Sequence, residues 1–265
     1  GFDRGGFDRG GFDRGGFDRG GFDLRFHSSR EEMDMCGHVV VAVFAALLAD
    51  GRIGPGAHAA RTAAGALPIE VSAAGRVTMR QPPPRFAPPA AGAAETADLI
   101  GLAAGEVRDV ASAGTALRHL FVEVAGDALS RIRPDDAGLR ALCAARGIDT
   151  IGVWRLEEAA AGRARARLRD LCHGVGDPEE AASGTTNGAL ACLLHRTGRA
   201  AADGAGRLRV IGVQGVEMGR PSRVETELTV AGDRVAEVRV GGAAELRMVG
   251  DYHLRRGPAD PEPAP

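Results

Sequence analysis

The sequence predicts an α+β fold built from two similar halves, each with short strands around one apolar helix. Two segments, His38–Leu48 and Ala189–Arg199, are long enough for a helix and carry apolar residues on all sides, which is typical of a buried helix. Each follows a turn of small residues, Cys36–His38 in the first half and Ser183–Thr186 in the second. Short runs of alternating apolar and polar residues lie around both segments, and this period of two indicates strands.

Length and charge restrict the class of function. The chain has 265 residues, and its 33 basic and 35 acidic residues give a net charge of −2. This balance gives no reason to expect nucleic acid or an anionic membrane as a partner. No apolar run approaches the length of a membrane span and no signal-peptide pattern is present, so we expect a cytoplasmic protein.

Cysteines, histidines and glycines indicate no familiar binding site. The four cysteines are widely spaced and form no CxxC pair, which excludes a disulfide framework or a zinc site of the usual spacing. The seven histidines form neither an HxH nor an HExxH pattern, so we predict no metal. The glycine-rich signatures of nucleotide-binding proteins are also missing from the sequence.

Composition divides the chain into four parts. Residues 1–21 hold a GFDRG repeat and residues 257–265 are rich in proline, and we expect both to be disordered because neither can bury enough apolar surface. Between them we expect a first domain over 22–110 and a second over 111–256. Each arginine of the repeat is matched by an aspartate, which cancels the charge that an RNA-binding arm needs. We therefore interpret the repeat as a tandem expansion or a misplaced start.

The first half predicts few elements. Leu24 and Phe26 indicate a strand, followed by a polar turn and then the first apolar helix, although Val39–Val41 would also suit a strand. Residues 67–86 predict two short strands joined by an Ala-Gly turn and followed by prolines. Residues 87–97 are rich in alanine and proline and indicate a linker.

The second half predicts one further helix and more strands. A helix should begin at Arg133–Asp136 and end at Gly147, and the second apolar helix should end at Gly198. The predicted strands are Leu117–Val124, Thr150–Leu156, Ala164–Leu171, Arg207–Val213, Arg223–Val230, Arg234–Val240 and Ala244–Met248.

The starts of the two apolar helices are the places where the sequence can carry chemistry. A helix N-terminus presents unpaired backbone N–H groups and the positive end of its dipole, which suits a carboxylate. Two such starts facing each other could hold a small carboxylic acid while neighbouring side chains add and remove a proton. The candidates are Cys36, His38, Glu179, Glu180, Ser183 and Thr185.

Each candidate also has a purely structural interpretation. A histidine at a helix start is more often a hydrogen-bonding residue than a catalyst. Ser183 can serve only as an N-cap, and Cys36 can be a small buried side chain. Glu179 and Glu180 can form a solvated acidic turn. Spacing alone does not decide between these interpretations.

Several motifs resemble one known family, in the same order along the chain. They are LRFHSSREEMDMCGHVVVAVFAALL at 24–48, TALRHLFVEVAGDALSRIRPDDAGL at 115–139, GVGDPEEAASGTTNGALACLLHRTG at 174–198, and VQGVEMGRPSRVETELTV followed by VRVGGAAELRMVG between residues 213 and 250. In these motifs the sequence resembles the phenazine-biosynthesis isomerase-like (PhzF-like) proteins, which have the diaminopimelate epimerase fold. The resemblance covers nearly everything from residue 24 to residue 254.

This resemblance implies two similar domains, each a curved β-barrel around a central helix, with the active site between them and the first barrel incomplete. It also implies a cofactor-free isomerase, in many members a homodimer, that moves a proton in a small unsaturated carboxylic acid. By position, Gly37 and His38 belong to the site at the first helix. Glu180 stands where the family has an aspartate, and Gly184 and Thr185 stand where it has Gly-Ser. The sites predicted to be catalytic are His38, Glu180 and Cys36, and those predicted to bind substrate are Gly37, Ser183, Gly184 and Thr185.

One part of the family pattern is missing. The family's first domain opens with a segment that ends in Asn-Leu-Ser-Glu, whose glutamate is the main acid/base. Here the GFDRG repeat stands in its place, and no glutamate precedes Glu31. We therefore expect an impaired or inactive enzyme.

Two alternatives to the isomerase stay open. One is a non-catalytic relic that only binds. The other is a Cys36-dependent epimerase or dehydratase of the proline type, since Met35–His38 also resembles the first cysteine motif of the proline racemases. In that case Ser183 stands opposite Cys36, which excludes a pair of thiols and leaves chemistry with one base.

Overall fold

The computed structural model describes residues 21–27, 32–33, 35–232 and 234–250. The repeat up to residue 20, residues 28–31 of the predicted polar turn and the tail after residue 250 lie outside the described residues.

Runs of two to four strands are separated by one or two helices, which is the order of an α+β fold, as predicted. The strands are β1 (Phe22–Asp23), β2 (Phe26–His27), β3 (Glu32–Met33), β4 (Gly56–Thr62), β5 (Gly65–Val71), β6 (Val77–Gln81), β7 (Arg85–Ala87), β8 (Val107–Gly114), β9 (Arg118–Val124), β10 (Thr150–Ala160), β11 (Arg163–Leu171), β12 (Arg207–Gln214), β13 (Ser222–Ala231) and β14 (Arg234–Gly242). The helices are α1 (Gly37–Ala49), α2 (Ala93–Leu99), α3 (Ala128–Arg131), α4 (Asp136–Arg146) and α5 (Gly184–Arg196).

Twelve of these strands form one sheet, in the order β1-β4-β5-β6-β14-β13-β12-β11-β10-β9-β8-β7. Neighbouring strands within this sheet are antiparallel, except for three parallel pairs: β1 with β4, β9 with β10 and β11 with β12. The pairing of β6 with β14 joins the two halves. Since the sheet is continuous, it does not mark where one domain ends, and the predicted division at residue 110 stays a prediction.

The two apolar helices pack differently. In α5, every residue from Thr186 to Leu194 is buried, as expected for a helix that is apolar on all sides. In α1, the buried side chains Val40, Val43, Phe44 and Leu47 form one stripe, at the i, i+3, i+4, i+7 spacing of a single helix face. Val39, on another side of α1, is 36% exposed. One side of α1 is therefore buried and another is partly exposed, unlike α5.

The remaining helix predicted in the second half is α4, and its ends follow from its sequence. Asp135 caps the start, where its carboxylate accepts hydrogen bonds from the N–H groups of Ala137 and Gly138. Gly147 ends the helix in the left-handed conformation, with φ of 62°. Among the described helices, none is long and apolar enough to cross a membrane.

Some predictions of elements are wrong. The linker expected over 87–97 contains the start of α2, and the strands β4 and β8 were not predicted. The strand expected at Ala244–Met248 is absent, since β14 ends at Gly242 and the following residues have no strand partner. Leu246 and Met248 are instead 66% and 86% exposed.

Candidate active site

The starts of α1 and α5 lie next to each other where the two halves meet, and the two helices are in contact. Cys36 is the N-cap of α1 and Ser183 is the N-cap of α5, both in extended backbone conformation. The Ser183 hydroxyl accepts a hydrogen bond from the Thr186 N–H. Gly37 and Gly184 are the first residues of their helices. The positive ends of two helix dipoles therefore approach one region.

His38 of the first half pairs with Glu180 of the second. The distance from His38 Nδ1 to Glu180 Oε1 is 3.0 Å, with the two side chains 51% and 36% exposed. Cys36 Sγ lies 3.5 Å from His38 Nε2. The contact with Cys36, and then that with Glu180, raises the pKa of His38 to about 10. His38 is therefore an imidazolium at neutral pH, beside a carboxylate and open to a ligand.

The backbone of Glu180 is held by two buried residues. Its N–H donates to the backbone carbonyl of Asp170, at 3.0 Å, and its own carbonyl accepts from Gln214 Nε2, at 2.7 Å. Gln214 Oε1 in turn accepts from the Ser183 N–H and from Asn187 Nδ2. Gln214 thus connects Glu180 to the first turn of α5, which fixes their relative position.

Three hydroxyl groups occupy that first turn. Ser183 Oγ lies 3.1 Å from Thr185 Oγ1 and 2.9 Å from Thr186 Oγ1. The Thr186 hydroxyl also lies 2.6 Å from Asp170 Oδ2. Ser183, Thr186 and Asp170 are buried, whereas Thr185 is half-buried. Of the three hydroxyl-bearing residues, Thr185 is therefore the most accessible to a ligand.

Glu179, the other glutamate among the candidates, does not reach this region. Its carboxylate accepts two hydrogen bonds from Arg169, at 2.9 and 2.7 Å. Arg169 also donates to the backbone carbonyl of Leu129. This buried bidentate pair fixes the loop after β11, so Glu179 has a structural role.

A carboxylate oxygen of Asp170, one of Glu180 and the sulfur of Cys172 lie within 4.8 Å of one another. Burial, together with the nearby carboxylates, raises the pKa of the Cys172 thiol. The Cys172 thiol donates to the backbone carbonyl of Asp170, at 3.4 Å, so it already has a partner within the protein. We therefore assign no metal to these three residues.

A cavity of about 530 Å³ opens at the other end of α5. It is lined by His195, Asp203 and small residues of the turn after α5 and of the β13–β14 hairpin. Asp203 is already used there, since its carboxylate accepts from the N–H groups of Ala205 and Arg207. The helix starts, and not this cavity, bring charged side chains of both halves together.

All seven residues predicted for the site lie at the two helix starts, and their roles in catalysis and binding stay predictions. Asp170 and Gln214 were not predicted. Asp170 could have been noticed because the period of two in β11 places it on the same face as the buried Ala166 and Leu168. For Gln214 the only sequence signal is its place in the VQG motif.

Comparisons with known proteins agree with this fold. An uncharacterized isomerase of Deinococcus radiodurans is 31% identical over 239 residues, which cover 86% of this chain and 75% of that protein. The fold is similar to that of a PhzF-family phenazine biosynthesis protein from Bacillus anthracis, with a TM-score of 0.72 and 23% identity over 83% of this chain and 77% of that one. A predicted epimerase from Pseudomonas aeruginosa has a TM-score of 0.65 and 25% identity, with 86% and 80% covered.

The family profile described as phenazine biosynthesis-like protein (PhzC-PhzF) matches residues 14–250, which is most of the chain. The fold and the helix-start motifs are those expected for the same family. The chain therefore belongs to the phenazine biosynthesis-like family.

Proposed function

We propose that this chain is a cofactor-independent isomerase that moves a proton between two carbon atoms of a small unsaturated carboxylic acid. The observation that carries the proposal is the pair formed by His38 and Glu180, 3.0 Å apart, between the two helix starts. It places a cation, a carboxylate and two sets of backbone N–H groups around one region. Family membership supports the same class of reaction, since relatives are named isomerases.

In this proposal each group has one task. The N–H groups at Gly37 and Gly184, with the Thr185 side chain, bind the substrate carboxylate. Glu180 accepts a proton from carbon: that C–H bond breaks, and its electron pair delocalises into the unsaturated acid. The positive charge of His38 stabilises this anion. Glu180 then returns the proton to another carbon of the same system, so nothing is oxidised or reduced.

Incorporation of solvent deuterium tests the proposal. Small unsaturated carboxylic acids are incubated with the protein in D₂O, and deuterium at carbon is measured by NMR and mass spectrometry. We expect slow incorporation by the wild type, as for an impaired enzyme, and a rate lower by a further factor of about 100 or more in Glu180→Gln, the range typical of a lost general acid/base. Glu95→Gln, which changes an exposed carboxylate on α2, should keep the wild-type rate. Equal rates in the two variants would contradict the role of Glu180.

A second candidate reaction uses Cys36 as the base, in the manner of a proline-type epimerase or dehydratase. The observation that favours it is the 3.5 Å distance from Cys36 Sγ to His38 Nε2, which places the sulfur beside a ring that can exchange a proton with it. The same exchange experiment separates the two reactions. Loss of incorporation in Cys36→Ser with retention in Glu180→Gln would favour Cys36.

A third candidate is a protein that binds a carboxylic acid without turnover. It would bind such an acid and incorporate no deuterium into it. Binding measured on the same panel of acids by NMR therefore separates a binding protein from an enzyme whose substrate is outside the panel.

A further inference from the structure

Asp170 carries a fully buried carboxyl group that the proposed mechanism does not use. It lies near the end of β11, and its side chain is beside the first turn of α5. One of its oxygens, Oδ2, contacts the Thr186 hydroxyl, while the other, Oδ1, is buried without a hydrogen-bond partner among the described residues. A buried carboxylate with one unsatisfied oxygen is costly, so this position needs a reason.

The hydroxyl groups between Asp170 and Thr185 form a chain whose direction follows from counting hydrogens. An ionised aspartate only accepts, so the Thr186 hydroxyl must give its one hydrogen to Asp170. Thr186 Oγ1 then accepts from Ser183, whose only hydroxyl hydrogen is used in this bond. Thr185 can therefore bond to Ser183 only by donating inward, and while it does so its hydrogen is not available to a ligand.

A proton on Asp170 Oδ2 reverses every bond of this chain. The carboxylic acid donates to Thr186, Thr186 donates to Ser183, and Ser183 donates to Thr185. The hydroxyl hydrogen of Thr185 is then free to point outward. In both directions Ser183 Oγ still accepts from the Thr186 N–H, so the cap of α5 is kept.

The two directions are close enough in free energy to exchange near neutral pH. Burial is the largest effect on Asp170 and raises its pKa to about 6, whereas the hydrogen bond from the Thr186 hydroxyl lowers it. Three titratable groups near Asp170 follow β11: Cys172, Asp177 and Glu180. Two more lie farther away: His119 on β9 contacts Thr150, and His38 on α1 contacts Glu180. Burial lowers the pKa of His119 to about 3, so His119 stays neutral in this range.

We propose that the proton on Asp170 decides whether Thr185 donates or accepts a hydrogen bond at the start of α5, which makes Asp170 a positioning residue of the site. With Asp170 protonated, Thr185 donates to a carboxylate bound at the helix starts. With Asp170 ionised, Thr185 can donate to this carboxylate only by giving up its hydrogen bond to Ser183. The consequence for a ligand rests on the proposed function, whereas the hydroxyl chain does not.

The chain is tested by NMR on the intact protein without ligand, with ¹³C in aspartate and threonine. The carboxyl carbon of Asp170 and Cβ of Thr185 are followed from pH 4 to 8. We expect both to titrate with one midpoint in the wild type. In Thr186→Val, Asp170 should still titrate while Thr185 does not, and Thr186→Ser, which restores the hydroxyl, should restore the coupling. Thr185 following Asp170 in Thr186→Val, or not following it in the wild type, would overturn the proposal.

Binding of benzoate, a planar unsaturated carboxylate that stays ionised above pH about 5, tests the consequence. We expect the Kd of the wild type to rise about tenfold from pH 5 to pH 8, and the Kd of Asp170→Asn to stay nearly constant. Asp136→Asn, which changes an exposed carboxylate on α4, should keep the wild-type dependence. An unchanged slope in Asp170→Asn would overturn the positioning role. Absence of benzoate binding at pH 5, with the NMR coupling present, would count against the proposed ligand class and leave the hydroxyl chain standing.

Discussion

His38 places a positively charged ring of the first half next to Glu180 of the second. Its pKa is raised to about 10, first by Cys36 and then by Glu180, against burial, which lowers it. The folded-state pKa thus lies above the ordinary value of about 6.5. The stabilisation from the charged ring is therefore complete below pH about 6.5 and is lost as the pH rises through about 10.

We predict that an NMR titration of the His38 ring gives a midpoint well above 6.5. The midpoint should fall in Cys36→Ser and in Glu180→Gln, because each variant removes one partner of the imidazolium. Substrate binding should also weaken above pH about 10, where the positive charge is lost. A wild-type midpoint near 6.5 would show that the pair does not form in solution.

At this scale the sequence predicts residues that stand at recognisable positions and misses those defined by distant contacts. Ser183 and Asp135 lie directly before helices, so their capping roles can be read from the chain. Asp170 and Gln214 act through contacts with residues 16 and 34 positions away, Thr186 and Glu180. No local pattern encodes such pairs, and they appear only when the strands of the second half are assembled.

Among the elements, the pairing of β6 with β14 depends on a glycine that has no room for a Cβ atom. Gly241 of β14 lies opposite Thr78 of β6, and a Cβ at Gly241 would lie 2.0 Å from the backbone carbonyl oxygen of Val77. A backbone carbonyl within the sheet cannot move away as the end of a flexible side chain can. We predict that Gly241→Ala lowers the free energy of unfolding by about 1–3 kcal/mol, the usual range for overpacking.

Chemical denaturation of Gly241→Ala beside Gly204→Ala measures this effect. Gly204 has open space where its Cβ would be, so the same substitution there should leave stability nearly unchanged or slightly higher. If the two variants had the same midpoint, the close approach of β6 and β14 would not be needed for stability.

Elements with a clear alternation of apolar and polar residues, or with a helix-capping residue, are predicted well from the sequence. Elements built mainly from alanine are not. β11 reads ARARLRD, and its alternation of arginine with apolar residues appears from Ala164 to Leu168 as alternating buried and partly buried positions. β4 (GAHAART) and α2 (AAETADL) lack large apolar residues that reveal a period. The alternation at Ala244–Met248 predicts a strand that does not form, because a strand also needs a neighbour that the local sequence cannot supply.

At the scale of the whole molecule, the part of the chain from β1 to β6 is connected to the remainder in three ways, while β7 already pairs with β8 at the far end of the sheet. The sheet continues from β6 to β14, α1 contacts α5, and ion pairs cross between the strands of the two halves. These pairs are Arg80 with Glu237, Arg239 with Glu70, and Arg76 with Glu225 and Glu227. Surface ion pairs contribute little individually, so the sheet pairing should supply most of the connection.

We therefore predict that the two halves unfold in one transition. The core around α1 is bounded by β4, β5 and β6, so losing it would leave β14 with an unpaired edge next to the core around α5. An exposed edge and an uncovered apolar face make the half-folded state unfavourable compared with both the folded and the unfolded chain.

Two probes placed in different halves measure this cooperativity. Trp154, the single tryptophan, is buried in the core around α5 and reports on the second half by fluorescence. Hydrogen exchange of the amides of Val43 and Phe44 in α1 reports on the first. Both probes should give the same free energy of unfolding in the same buffer. A clearly lower value for α1 would mean that the first half opens separately, and the contact between His38 and Glu180 would then be formed only part of the time.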